Sequence, residues 1–276
     1  LFVHPEVCEG CGDCSAKSGC IAVEPFETSL GRKRRINQSA CNYDYSCAEG
    51  FCPSFVTVDG ARLASPDDDV LARLGIDPDA LPEPPPPATG RPDWNVLVTG
   101  IGGSGVVTIG ALIGMAAHLE GRYATVLDQT GLAQKNGAVV SHVRVTGLDA
   151  PPCTPRIPER HTDLLLACDQ LVAAADGYLP TYDRERTHAV LNTETAPTSH
   201  WVNDPDTVFP EATVRRRLRA CVDPERMLEV PATAWATALI GDAIGTNLFL
   251  VGVALQRGLL PVSLGALERA IELNGV

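Results

Sequence analysis

Asn95-Val96-Leu97-Val98-Thr99-Gly100-Ile101-Gly102-Gly103-Ser104-Gly105 is a short apolar run that ends in a cluster of glycines. An apolar run bounded by a turn signal predicts a buried strand over 95–99 and a Gly-rich turn over 100–105. An apolar, Ala/Gly-rich helix is expected next, from about Val106 to Glu120, and then a second strand from Tyr123 to Asp128. This β-turn-α-β order, with an acid (Asp128) about 20 residues past the glycines, is the order of a dinucleotide-binding fingerprint. Two readings of the turn stay open. Its amides and the positive helix end suit the pyrophosphate of NAD, a flavin or coenzyme A. Equally, Gly102, Gly103 and Gly105 can serve only to let the helix pack tightly on the strand.

Downstream, Ala138 to Val145 alternates like a strand, and Leu164–Cys168 and Ala189–Leu191 are short buried-strand candidates. Helices are expected near 170–175, 211–221, 232–257 (broken around Gly241–Gly245) and 264–273. Strand–helix alternation of this kind implies an α/β sheet covered on both faces. No internal repeat is evident. Upstream, Asp67-Asp68-Asp69 precedes a short helical stretch near Val70–Leu74, and Pro82-Glu83-Pro84-Pro85-Pro86-Pro87 reads as an extended polyproline spacer outside any core. The expected organisation is a domain over 1–60, a Pro-rich linker over 61–92 and a second domain over 93–276.

The 276 residues are 45% hydrophobic and 20% charged, enough to bury a core, and carry a formal charge of −12. That balance argues against nucleic acid as the partner, since phosphate binding needs a cationic face. Aromatic residues, at 5%, are too sparse for stacking along a single strand. No apolar run reaches the roughly 20 residues of a membrane span, so no membrane association is expected. The chain opens Leu1-Phe2-Val3 and reads as an excised piece of a larger, cytoplasmic polypeptide.

Seven of the ten cysteines fall within the first 52 residues. Disulfides, structural zinc and an iron–sulfur site compete to explain them. An odd count with no export signal disfavours disulfides, and zinc favours two separated Cys-x-x-Cys pairs. Cys8-x2-Cys11-x2-Cys14 with a distant Cys52-Pro53 is instead the spacing of bacterial ferredoxins, whose fourth ligand comes from the other motif. Crossed pairing assigns Cys8, Cys11, Cys14 and Cys52 to one 4Fe-4S cluster. The second motif, Cys41-x2-Asp44-x2-Cys47, puts a carboxylate where a thiolate belongs. Cys20, Cys41 and Cys47, with Asp44 as a weak fourth ligand, would then hold a second cluster, 4Fe-4S or 3Fe-4S. The competing reading makes Asp44 a solvated turn residue beside a single cluster. The basic run Gly31-Arg32-Lys33-Arg34-Arg35 reads first as a solvated turn, and otherwise as a docking patch for an acidic carrier or a field that raises cluster potential.

Cys8-Glu9-Gly10-Cys11-Gly12-Asp13-Cys14, Gly31–Arg35 and Gly50-Phe51-Cys52-Pro53-Ser54-Phe55-Val56 resemble the ferredoxin-like segment of single-chain indolepyruvate ferredoxin oxidoreductases. Thr99–Thr108, Thr130–Ala138, Gly241-Asp242, Thr246-Asn247 and Glu272–Gly275 resemble that family's gamma-type domain, so the likeness covers nearly the whole chain. The resemblance implies a Rossmann-like gamma-type domain with a mainly parallel sheet, preceded by a small ferredoxin-like α+β iron–sulfur domain. It implies a 2-oxoacid:ferredoxin oxidoreductase that decarboxylates an aryl pyruvate on thiamine diphosphate, sends electrons singly through clusters to ferredoxin and passes the acyl group to coenzyme A. The thiamine diphosphate-binding domains would belong to the parent polypeptide, a homo-oligomer, because no thiamine diphosphate motif stands here. The resemblance also implies that Gly100, Gly102, Gly103, Ser104, Gly105, Lys135 and Asn136 lie near thiamine diphosphate or coenzyme A phosphates rather than nicotinamide. Lys135-Asn136 reads equally well as an exposed loop. His142 reads as a structural histidine, His161, His188 and His200 lack metal-ligand spacing, and Cys153, Cys168 and Cys221 have no partners at useful spacing. The alternative to the oxidoreductase part is a ferredoxin module fused to an NAD(P)- or flavin-binding domain.

Overall fold

A computed structural model of the chain describes residues 1–60, 70–77, 80–88, 91–131, 137–147, 151, 154–196, 204 and 207–275. The chain divides into two compact units, one from Leu1–Ala64 and Ala196–Phe209, the other from Ser65–Thr195 and Pro210–Val276.

The first unit is built from short pieces because its sequence offers few long apolar runs. Strand β1 (Phe2–Val3) pairs antiparallel with β4 (Phe55–Val56), closing the two ends of the segment on each other. Between them lie helix α1 (Asp13–Ser18) and the hairpin of β2 (Val23–Thr28) and β3 (Gly31–Ile36). The hairpin register, Val23 opposite Ile36, puts both side chains into a small core with Val3, Cys8 and Cys47. The basic run is therefore a strand, which corrects its reading as a solvated turn. Period-2 alternation sends Arg35 outward to Glu24, at 3.1 Å, and turns Arg34 inward on the face of Ile36, where it is 3% exposed.

The second unit carries a six-stranded sheet. Its strands are β5 (Asp93–Ile101), β6 (Tyr123–Thr130), β7 (Ala138–Thr146), β8 (Leu164–Ala167), β9 (His188–Asn192) and β10 (Met227–Val230). In space they run β10-β9-β8-β5-β7-β6. The pairs among β10, β9, β8 and β5 are parallel, whereas β7 is antiparallel to both β5 and β6. Val96, Leu97 and Val98 are each fully buried, so consecutive side chains on opposite faces are both covered, as a sheet packed on both sides requires. Each such side chain contributes roughly 1.5–3 kcal/mol of burial.

Helix α3 (Val106–Leu119) follows β5 through the glycine turn and packs with α7 (Thr246–Gln256) and α8 (Leu264–Asn274) on the face of Val96 and Val98. The one-turn helices α2 (Val70–Arg73) and α4 (Gln170–Ala173) stand near their expected places, and α5 (Glu211–Cys221) matches the expected limits. The expected break in the long C-terminal helix separates α6 (Ala232–Ile240) from α7, with Gly241 left-handed at φ 84°.

Three expectations are revised. The acid-bearing strand β6 is not the neighbour of β5, because β7 lies between them, so Asp128, which is exposed, stands about 10 Å across the sheet from the glycine strand. Gly100 is not in the turn: it is buried near the end of β5, where a Cβ would meet Val106 Cγ2 at 2.5 Å. The Pro-rich run does not stand free. Pro82 O accepts from Gln256 Nε2 at 2.7 Å, Ala88 N donates to Leu260 O at 2.9 Å, and Pro85 lies against Gly258.

Just before β8, in the middle of the sheet, Asp163 is wholly buried between two arginines. It accepts from Arg186 through both carboxylate oxygens at 2.7 Å, from Arg91 at 2.7 Å, and from the Asn95 amide at 2.9 Å. This charged staple pins the start of β5 to β8, and nothing in the local sequence announces it.

Candidate functional site

In the first unit, the β1–β4 pairing brings the two ends of the cysteine segment together, and His4 N donates to Ser54 O at 2.8 Å. Cys52 is thereby delivered to the loop that carries Cys8, Cys11 and Cys14. These four cysteines and Cys47 line one cavity of about 270 Å³, with Val3, Val7 and Phe55 as its apolar wall and Arg34 and Lys17 as its cations.

The first loop needs its glycines. Gly10 and Gly12 are left-handed, at φ 77° and 79°, and this turns the Gly10 amide back to donate to Cys8 Sγ at 3.4 Å. A Cβ on Gly10 would sit 2.1 Å from Arg32 O, so the loop is pressed directly on the backbone of β3. The second loop repeats this geometry with different residues. Tyr43 and Tyr45, the same distances beyond Cys41 as Gly10 and Gly12 are beyond Cys8, are also left-handed, at φ 58° and 60°. Tyr43 N donates to Cys41 Sγ at 3.4 Å. Asp44 therefore occupies the backbone position of Cys11. It is exposed, and its Oδ1 accepts from Ser46 N at 3.1 Å and Ser46 Oγ at 2.9 Å.

Burial dominates the electrostatics of two of these cysteines. Burial pushes the Cys14 thiol up to about 11, opposed by the Ser15 amide and the Arg34 charge and reinforced by Cys11 and Cys8. Burial also raises Cys47, whose charged neighbours are Cys20, Cys41 and Asp44. The two groups expected from the spacing are not set apart in space: Cys47 lines the cavity of the first four, and Cys14, Cys20 and Cys41 pack on the same small core as Cys8 and Cys47. Among the described residues no cluster of three or more His, Cys, Asp or Glu is disposed to hold a single metal ion. An iron–sulfur cubane makes a different demand, since each thiolate binds a separate iron at a separate corner. Cysteines lining one cavity and N–H groups donating to sulfur are the donor set such a cluster takes, with Lys17 and Arg34 set among the carboxylates of Glu9, Asp13 and Glu49.

In the second unit, Gly102, Gly103 and Gly105 line a shallow cavity of about 300 Å³ with Ile101, Val106, Val107, Thr130, Gly131 and Val139. No charged side chain lines it among the described residues. Gly102 N donates to Gly137 O at 2.8 Å and Ser104 N to Ile101 O at 3.2 Å, so two turn amides are already engaged. Ser104 Oγ also donates to Ile101 O, at 2.7 Å, while Ser104 O accepts from the buried Asn247 Nδ2 at 2.5 Å. Asn247 thus braces the turn from α7, a role its sequence context did not signal. Lys135 and Asn136 lie outside the described residues, as do Cys153 and His200.

The remaining candidates are structural. His142 is fully buried, accepts at Nδ1 from Ile157 N at 3.3 Å, and burial lowers its pKa to about 4, so it stays neutral. His188 Nε2 lies 2.8 Å from Arg226, and His161 Nδ1 lies 2.6 Å from Glu159 O. Burial pushes Cys168 up to about 12, leaving an inert thiol.

The chain thus carries a glycine-turn α/β unit and a unit whose cysteines line a cavity. The family profile of pyruvate ferredoxin/flavodoxin oxidoreductases matches residues 95–274, and the chain belongs to that family. It is similar to the indolepyruvate oxidoreductase subunit IorB of Archaeoglobus fulgidus, at 27% identity over 184 residues, which cover 64% of this chain and 83% of the relative. It is also similar to the subunit of the same name from Methanothermobacter thermautotrophicus, at 25% identity over 59% of this chain and 78% of the relative. Among solved structures, the pyruvate oxidoreductase subunit PORC of Thermotoga maritima aligns with a TM-score of 0.46 at 17% identity, covering 67% of this chain and 86% of that one. No helix among the described residues is long and apolar enough to cross a membrane.

Proposed function

We propose that the chain is the electron-relay and gamma-type part of a thiamine diphosphate-dependent 2-oxoacid:ferredoxin oxidoreductase acting on an aryl pyruvate such as indolepyruvate. In this reading residues 1–60 form the cluster domain, 61–92 the connection and 93–276 the gamma-type domain. The observation that supports the relay is the convergence of Cys8, Cys11, Cys14 and Cys52 on one cavity beside a buried cation.

Those four cysteines hold a 4Fe-4S cluster, and Cys20, Cys41, Asp44 and Cys47 hold a second, 4Fe-4S or 3Fe-4S. Bound clusters supply one-electron acceptors, which a two-electron oxidative decarboxylation needs in order to release its electrons singly. The protein's own part is positional. The left-handed loops aim the Gly10 and Tyr43 amides at sulfur and so stabilise thiolate charge. Val3 and Phe55 form an apolar wall on one side, while Cys11 and Cys52 stay exposed at the other.

The oxidation itself takes place on thiamine diphosphate-binding domains supplied by partner sequence, with coenzyme A as acyl acceptor and ferredoxin as electron acceptor. In this reading the glycine turn at 102–105 meets those phosphates, and Lys135 and Asn136 are assigned to the same phosphates. The test is anaerobic mixing of the dithionite-reduced, cluster-loaded chain with oxidised ferredoxin, followed in the visible charge-transfer band. Reoxidation of the chain by ferredoxin, with no bleaching when NADH is added to the oxidised chain, supports the relay. Rapid reduction by NADH alone would replace it with a nucleotide-linked ferredoxin module.

A further inference from the structure

Phe51 is wholly exposed, the most exposed large apolar side chain among the described residues, yet it directly precedes Cys52 and lines the cysteine cavity. Val7, which is 44% exposed and directly precedes Cys8, lines the same cavity. A lone apolar side chain on a surface is ordinary, but two at one opening make a patch. A ring that buries no area adds nothing to the small core of this unit, so the fold does not account for a phenylalanine at position 51.

The cysteines around that opening differ in access. Cys8 and Cys47 are buried and Cys14 is half-buried, whereas Cys11 and Cys52 are exposed. Glu9, Glu49 and the Asp13–Lys17 pair, closed at 2.9 Å, stand exposed at the rim. The opening therefore has a small apolar centre, a charged rim and two accessible thiols. Weak electron-transfer encounters use small interfaces of this kind, whereas permanent interfaces are larger and more hydrophobic.

We propose that the opening flanked by Phe51 and Val7 is the docking surface for a ferredoxin-type one-electron acceptor, with Cys11 and Cys52 as the edge by which the electron leaves. This rests on the relay reading given above. One electron passes from the reduced cluster of this chain, which is oxidised, to the acceptor's cluster, which is reduced, with no bond made or broken and no proton moved. Electron tunnelling weakens steeply with distance, so the acceptor must reach the exposed ligands rather than Cys8 or Cys47. Three carboxylates against Lys17 and Arg34 give the cavity lining no cationic excess. Desolvation of the Phe51 ring, rather than charge, supplies the attraction.

The test is stopped-flow reoxidation of the reduced, anaerobically reconstituted chain by a bacterial 4Fe-4S ferredoxin, in wild-type, Phe51→Ala, Val7→Thr and Leu30→Ala forms. Leu30, in the β2–β3 turn, is 65% exposed and does not line the cavity, so it is the control. Phe51→Ala should lower the bimolecular rate constant about ten-fold, the loss expected of an aromatic anchor. Val7→Thr should lower it about two- to three-fold, and Leu30→Ala less than two-fold. Oxidised methyl viologen, which needs no docking surface, should reoxidise all four forms alike, at equal iron content and an equal midpoint. Raising salt from about 50 to about 200 mM should leave the ferredoxin rate unchanged or higher. An unchanged rate in Phe51→Ala, or an equal loss in Leu30→Ala, overturns the inference. So does an equal loss with methyl viologen or a shifted midpoint, which would make Phe51 a shield of the cluster. A rate that falls steeply with salt overturns it in favour of the basic run 32–35. Should Phe51→Ala load less iron, Val7→Thr decides alone, and an unchanged rate there overturns the proposal. A wild-type chain that loads clusters but is not reoxidised by ferredoxin refutes the relay reading itself.

Discussion

Replacing Gly10 by alanine attacks the cage at its tightest point. The residue is left-handed at φ 77°, which costs a side-chain-bearing residue roughly 1–2 kcal/mol. Beyond that, the new Cβ would be 2.1 Å from the backbone oxygen of Arg32. A strand carbonyl cannot swing aside as a side chain can, so the Cys8–Cys11 loop itself must lift. Lifting removes the Gly10 amide from Cys8 Sγ, a further loss of about 1 kcal/mol. The total is at least about 2–3 kcal/mol, or a fall of roughly 10–20 °C in the melting of a domain this small. Gly19→Ala is the matched comparison, left-handed at φ 63° but with nothing within 4 Å of its Cβ, and should fall by about 5–10 °C. The assay is thermal loss of visible cluster absorbance, together with iron and sulfide content after anaerobic reconstitution. Gly10→Ala is expected to load poorly and bleach early, and Gly19→Ala to load nearly as the wild type. Equal melting of the two variants, or full loading of Gly10→Ala at an unchanged midpoint, would refute the close approach of loop and strand.

Other expectations concern the second unit. Asp163→Ala leaves Arg186 and Arg91 without their shared carboxylate and should cost about 3–5 kcal/mol, read as a lower urea midpoint. His142 is held neutral, with a folded-state pKa of about 4 against about 6.5 unfolded. Between those values the unfolded chain binds the extra proton, so its contribution is complete above about pH 6.5 and is lost by up to about 3 kcal/mol as pH falls to 4. His142→Leu should flatten that part of the stability–pH curve, and an unchanged slope would contradict the burial. Asn247→Ala removes the brace on the Ser104 carbonyl and should cost about 1–3 kcal/mol, seen as faster amide exchange in the glycine turn than elsewhere in α3.

The sequence made the local elements legible where period and punctuation agree. The 95–99 strand, the glycine turn, α3, α5 and the helix break at Gly241 follow from apolar runs and glycines, and the structure places them within a few residues. Long-range pairing was not legible. Nothing local says that β7 inserts between β5 and β6, yet that insertion removes Asp128 from the glycine strand. Arg34 was misread for a related reason: in Gly31-Arg32-Lys33-Arg34-Arg35 every side chain is polar, so period-2 alternation leaves no hydrophobic trace. The first cysteine loop announced itself through Gly10 and Gly12. The second adopts the same backbone with Tyr43 and Tyr45, residues that carry no signal for a left-handed conformation, so the kinship of the loops appears only in three dimensions. The staple at Asp163 joins residues far apart in the chain and has no motif at all.

Iron and acid-labile sulfide analysis of the anaerobically reconstituted chain, with EPR of the dithionite-reduced sample, tests the central claim most directly. Two occupied sites predict about eight irons and eight sulfides per chain with two reducible centres, and Cys8→Ser should lower both counts by about half. A folded chain that takes up no iron or sulfide and binds zinc through the same cysteines would contradict it.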